Sequence, residues 1–175
     1  MADDHSKQDE LADKFWKELG SSPFVMLGLA GVDDRFTRPM TAQVDGDGDG
    51  DGEDGARQIW FFAAKSEDLV KGLAKSSRAI ATFAAKGHGL FASIHGKLVL
   101  DHDRAVIERL WNPMIASWYK DGKDDPDLAL IRFDADRADV WEAHLGSTLK
   151  AALIRMIGRD PGKQHQDEHR AEVVL

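Results

Sequence analysis

Cysteine is absent from the 175 residues, which excludes disulfides, thiolate zinc sites and cysteine nucleophiles together. No apolar run reaches the roughly 18 residues that a membrane-spanning helix needs. The opening MADDHSKQDE is too polar for a secretory signal, so no membrane partner is expected and the cytoplasm is the expected location. Excess positive charge is missing as well. The formal net charge of -8 argues against a nucleic-acid partner held through its phosphates. Much of that charge is local, since six acids fall between Asp45 and Asp54. The remaining surface is closer to neutral and leaves room for a small basic pocket.

Several catalytic signatures are missing too. There is no G-x-S-x-G, P-loop or HExxH, so acyl transfer, triphosphate chemistry and zinc hydrolysis have no support. One G-x-G-x-x-G occurs at Gly50, Gly52 and Gly55, but Asp51, Glu53 and Asp54 inside it would repel a pyrophosphate. The same tract invites an EF-hand reading, which requires a bidentate Glu at the twelfth position. A start at Asp45 puts Ala56 there and a start at Asp47 puts Gln58. Residues 45–55 are therefore read as a solvated hairpin extension, and no metal site is expected. Among the histidines only His88, between two glycines, falls where a pocket is expected.

What is present suits one domain of about 158 residues, followed by a charged, mobile tail over 159–175. Residues 7–19 place Leu11, Phe15, Trp16 and Leu19 on one helical face. Strands are predicted over 24–30, 35–44, 57–64, 78–86, 90–100, 128–135 and 138–143. The second is predicted to pair with the first across a turn at Asp33-Asp34. A helix is predicted over 66–76 with Ser66 as its N-cap. Two short helices are predicted after Asp103, the second starting near Pro113. Consecutive strands joined by short Gly-rich turns, with helices only at the edges, favour an antiparallel Greek-key barrel over a doubly wound sheet.

Three features carry chemistry. The block WNPMIASWYKDGKDDPD (111–127) packs Trp111, Trp118 and Tyr119 into nine residues. That density marks a core, an interface or the wall of a flat ligand's site, and Trp118 is the wall candidate. Arg38 shares a strand face with Phe36 and Met40, so its charge requires a carboxylate or an anionic ligand. Lys65 and Ser66 stand where a strand meets a helix N-terminus, a place suited to an anion, although Glu67 and Asp68 follow at once.

Taken together, TRPMTAQV (37–44), IWFFAAKSEDLVKGL (59–73), GLFASIHGKLVLDHDRA (89–105), LWNPMIASWYKDGKDDPDLALIRF (110–133) and DVWEA (139–143) resemble the pyridoxamine 5'-phosphate oxidase-like superfamily. The similarity is greatest to its bacterial general stress protein branch. It implies a mainly β fold, the FMN-binding split barrel, in a homodimer with FMN at the subunit interface. It further implies that Arg38, Pro39, Met40, Thr41 and Ala42 line the flavin and that Phe61 and Phe62 touch it. Lys65 and Ser66 would form the phosphate turn, and Trp141 would approach the ring from the partner subunit. A flavin-dependent oxidoreductase using NAD(P)H or another small donor is the implied activity. The true oxidases carry basic residues where this chain has Gln43, Glu67 and Asp68, which argues against pyridoxamine phosphate oxidation. Two other readings stay open: a split barrel for another flat anion such as haem or deazaflavin, and a non-catalytic dimer with 111–119 as interface core.

Overall fold

The computed structural model describes residues 2–33, 37–46, 57–143 and 170–173. It contains helix α1 (Ala2–Ser21) and strands β1 (Phe24–Leu29), β2 (Arg38–Thr41), β3 (Gln43–Asp45) and β4 (Gln58–Ala64). Helix α2 (Asp68–Gly72), β5 (Arg78–Ala84) and β6 (Leu90–Asp101) follow, then α3 (Arg104–Leu110), α4 (Pro113–Ala116), β7 (Leu128–Glu142) and β8 (Arg170–Val173). All strand pairs are antiparallel, in the order β2-β1-β5-β6-β7-β4-β3, with β8 on β7. The two ends of this order, β2 and β3, are separated in sequence by Ala42 alone. The chain itself thus closes the curled sheet into a split barrel.

That closure corrects the expectation of one strand over 35–44. The segment breaks at Ala42 because its halves pair with different partners: Met40 lies opposite Val25, and Val44 opposite Ile59. The Ala42 amide, freed from either ladder, donates to Pro23 O at 2.7 Å. A second correction joins the two predicted strands 128–135 and 138–143 into β7. The polar residues between them continue to pair with β6 across a bulge at His95/Gly96. A third correction concerns the tail, because residues 170–173 form β8 on Ala138–Trp141. One edge of β7 thus takes β4 over 128–133 and β8 over 138–141. Asp34 of the expected turn, Phe36 and most of the acidic tract lie outside the described residues.

Alternation places the core. In β5 every second side chain is buried, and Ala79, Ala81 and Phe83 point inward. Helix α1 lays Leu11, Phe15 and Leu19 into the same interior, where Phe15 meets Phe83 edge-on at 6.1 Å. A second apolar cluster forms on the outer face of β4 and β7, where Trp60 and Leu130 pack against Val106, Ile107, Ile115 and Tyr119. Side-chain caps start both helices of that layer. Asp103 accepts from Ala105 N at 2.8 Å, and Asn112 accepts from Met114 N and Ile115 N at 3.0 Å. Caps of this kind contribute about 1 kcal/mol each. Among the described residues, no helix is long and apolar enough to cross a membrane.

Candidate functional site

A cleft of about 240 Å³ opens between the edge strand β2 and the α4 layer. Its walls follow from the period of the strands. Phe61 and Phe62 are neighbours in β4, so their side chains go to opposite faces. Phe61 is fully buried in the barrel interior against Phe133. Phe62 turns outward, stacks edge-on with Trp111 at 5.9 Å and lines the cleft. From the other side α4 contributes Met114 and Ile115, and the turn after it contributes Trp118 and Tyr119. Trp118 is 80% exposed, an unusual position for an indole that has no covering. The Asn112 cap and Pro113 set the direction of α4, and Ser117 Oγ donates to Met114 O at 2.7 Å to turn the chain toward Trp118.

Of the residues singled out from sequence, Arg38, Pro39, Met40, Thr41, Phe62 and Trp118 meet in this cleft. Ala42 is buried beside it, at the sheet closure. Phe61 is not part of its lining, since its side chain points into the barrel interior. His88 sits in an exposed turn with φ of 53°, its amide donating to Ala85 O. Trp141 lies on β7 opposite Phe91 and also stands away from the lining.

The turn after β4 is built differently from the expectation. Ser66 does not cap α2; Glu67 occupies the N-cap position without a side-chain cap bond. Ser66 is drawn instead to Asp127, which accepts from Ser66 N at 2.9 Å and from Ser66 Oγ at 2.7 Å. Lys65 donates to Asp127 O through its amide and to Pro126 O through Nζ, both at 2.7 Å. The acidic turn 125–127 therefore uses the donors that an anion would need.

Arg38 has the carboxylate partner that its position demanded: Glu67 forms an ion pair with it on the cleft wall. Sequence reasoning treated Glu67 only as a repulsive neighbour, because nothing local shows that its side chain turns toward β2. Arg38 Nε is buried without a hydrogen-bond partner, while Glu67 Oε2, also buried, is the oxygen that meets Arg38 Nη1 in the ion pair. Beneath them, burial holds the Tyr119 phenol well above its ordinary pKa, reinforced by the negative charges of Glu67, Asp127 and Asp125. Tyr119 therefore stays a neutral hydroxyl on the cleft wall. Outside the cleft, Ser93 Oγ and Asp139 both approach Nε2 of His95, at 3.1 and 3.9 Å. A hydrolytic relay needs the two groups on opposite ring nitrogens, so this trio lacks that arrangement.

What the arrangement can do is hold a flat, mostly apolar molecule. Phe62, Met114 and Trp118 offer ring and thioether surfaces, the β2 edge offers backbone groups, and Arg38 offers a buried donor.

Comparison with known proteins follows the same line. Among curated proteins none matches the sequence. A general stress family protein from Xanthomonas campestris pv. campestris is 52% identical, covering 78% of this chain and 89% of that one at a TM-score of 0.68. The general stress FMN/FAD binding protein from Xanthomonas citri is 50% identical over 78% of this chain and 91% of its own, also at 0.68. A general stress protein 26 from Jannaschia sp. CCS1 is 26% identical over 96% and 99% of the two chains, with a TM-score of 0.70. The pyridoxamine 5'-phosphate oxidase like family matches residues 10–166, and the chain belongs to it.

Proposed function

We propose that this protein is a general-stress-type flavoprotein that binds FMN in the cleft beside β2, at the interface of a homodimer. The observation that carries the reading is the buried, unpartnered Arg38 Nε on a wall otherwise built of Phe62, Met114, Trp118 and strand backbone. A flat ring with polar edges suits that wall. The half-identical Xanthomonas citri protein, itself described as FMN/FAD binding, supports the same ligand class. Bound flavin supplies two-electron redox chemistry, with NAD(P)H or another small donor as the proposed reductant. The chain's own contribution is position: Phe62 and Trp118 would hold the ring, β2 would meet it with backbone groups and Tyr119 keeps a neutral hydroxyl on the same wall.

The homodimer is supported by an apolar stripe on the outer sheet face. Phe24 and Met26 of β1, Ile80 of β5 and Phe91 of β6 are all exposed there, and Met26 lies opposite Pro39 of the cleft. A second copy covering this stripe would reach the open side of the site.

Titration with FMN, FAD, riboflavin and haem, read by visible absorbance and melting temperature, tests the proposal. FMN at 100-fold above its dissociation constant should stabilise the fold by about 2.7 kcal/mol, and Arg38→Ala should weaken binding. Tight haem binding with no response to any flavin would transfer the cleft to the other flat-ligand reading. No response to any of them would refute both.

A further inference from the structure

Glu67 is the part of the cleft that flavin binding does not explain. Among the described lining residues only Arg38 and Glu67 carry a formal charge, and the two cancel. Their side chains retain 38% and 28% of their surface, so the pair is partly withdrawn from water but remains reachable from the cleft. The pair joins Arg38 Nη1 to Glu67 Oε2 and leaves only Arg38 Nε buried without a hydrogen bond. An anion entering the cleft would seek Arg38 and meet the Glu67 carboxylate first. The alternative anchors are committed as well, since Ser66 and Lys65 donate to Asp127 and Pro126. The raised pKa of Tyr119 fits this picture, because Glu67 heads the charges that oppose its ionisation.

We infer that Glu67 is a specificity-determining residue: it holds the cleft's one cation internally, so the site selects a ring by its apolar faces and takes a phosphate only by displacing this carboxylate. The inference rests on the flavin reading and extends it to the choice among flavins. A wild-type cleft of this kind discriminates weakly between FMN and riboflavin, which share a ring and differ by the phosphate. Replacing the carboxylate by an amide of the same shape should release Arg38 for the phosphate and create that discrimination.

The test uses Glu67→Gln, wild type and the double variant Arg38→Met/Glu67→Gln, with dissociation constants for FMN and riboflavin from fluorescence quenching. Glu67→Gln should tighten FMN about tenfold, the scale of one added charge-assisted contact, and leave riboflavin within about twofold. The double variant should lose the gain, and added salt should shrink it. Equal tightening of both flavins, no change in either, or weakened binding of both would overturn the inference. A second measurement needs no flavin: inorganic phosphate should raise the melting temperature of Glu67→Gln but not of wild type or the double variant. Equal stabilisation of all three proteins by phosphate, or of none, would also overturn it. If no variant binds a flavin, the flavin reading fails and the phosphate measurement alone decides the role of Glu67.

Discussion

Two adjacent phenylalanines give the sharpest test of how this fold separates stability from binding. Phe61 and Phe62 share a strand, a residue type and nearly the same environment in sequence, yet β4 sends them to opposite faces. Phe61 is fully buried, among the largest side chains of the interior, and packs on Phe133 with ring centroids 6.3 Å apart. Truncating such a residue removes its apolar burial and leaves a cavity that the surrounding strands cannot fill. Phe61→Ala should therefore cost about 3–5 kcal/mol. For a chain of this size each kcal/mol moves the melting temperature by about 2–4 °C, which gives a fall of roughly 6–20 °C. Phe62 is half-buried and loses mainly one edge-on contact with Trp111. Phe62→Ala should cost only about 1–2 kcal/mol but should weaken flavin binding by tenfold or more, an order-of-magnitude expectation for one lost ring wall. Differential scanning fluorimetry at fixed protein concentration and a flavin titration read the two quantities separately. If Phe61→Ala melts within about 3 °C of wild type, or Phe62→Ala falls as far as Phe61→Ala, the assignment of faces is wrong.

Other perturbations reach other parts of the molecule. A Cβ at Gly96 would lie 2.2 Å from Asp134 O and 2.8 Å from Ala135 Cα, both backbone atoms of the neighbouring strand. Gly96→Ala should thus destabilise by about 1–3 kcal/mol or more, and an unchanged melting temperature would disprove the tight approach at the bulge. Tyr119 is the only tyrosine in the chain, so the phenolate ultraviolet band reports on it alone. Its folded pKa is raised, so the stability linked to its neutral form is complete below the ordinary value of 10.0 and declines as pH rises above it. Native protein should show no phenolate just above pH 10 while urea-unfolded protein titrates there; identical titration curves would contradict the burial. Met26→Asp should turn the proposed dimer into a monomer in sedimentation velocity without unfolding it, and a persisting dimer would move the interface off this face.

Much of the architecture was legible because it rests on local periodicity. The alternation of RAIATFA, the apolar face of α1 and Pro113 at a helix start each predict the element observed. Arg38 also announced its need for a partner, since a guanidinium beside Met40 cannot stay unpaired. What could not be read depends on distant partners. Nothing in RPMTAQV marks Ala42 as a break, because the break exists only where β1 and β4 claim different halves. The polar residues 136–137 separated the two predicted strands because they fall between the last β4 partner, Phe133, and the first β8 partner, Ala138. There the strand has β6 on one edge only, and the side chains of Asp136 and Arg137 are exposed. Ser66 was read as a cap from its neighbours, but Asp127, 61 residues away, takes both of its donors.

The closure at Ala42 has a mechanical consequence. Around most of the ring, adjacent strands are stitched by ladder hydrogen bonds, which resist shear and opening. Between β2 and β3 there is no ladder, only a covalent link of one residue. The cleft opens at that join, with Arg38 to Thr41 on one side and Gln43 on the other. The least braced arc of the ring is therefore also the arc where the proposed ligand would bind. A bound molecule bridging β2 to the α4 layer acts as the missing stitch, and amide exchange in β2 and β3 should slow on loading more than anywhere else in the sheet.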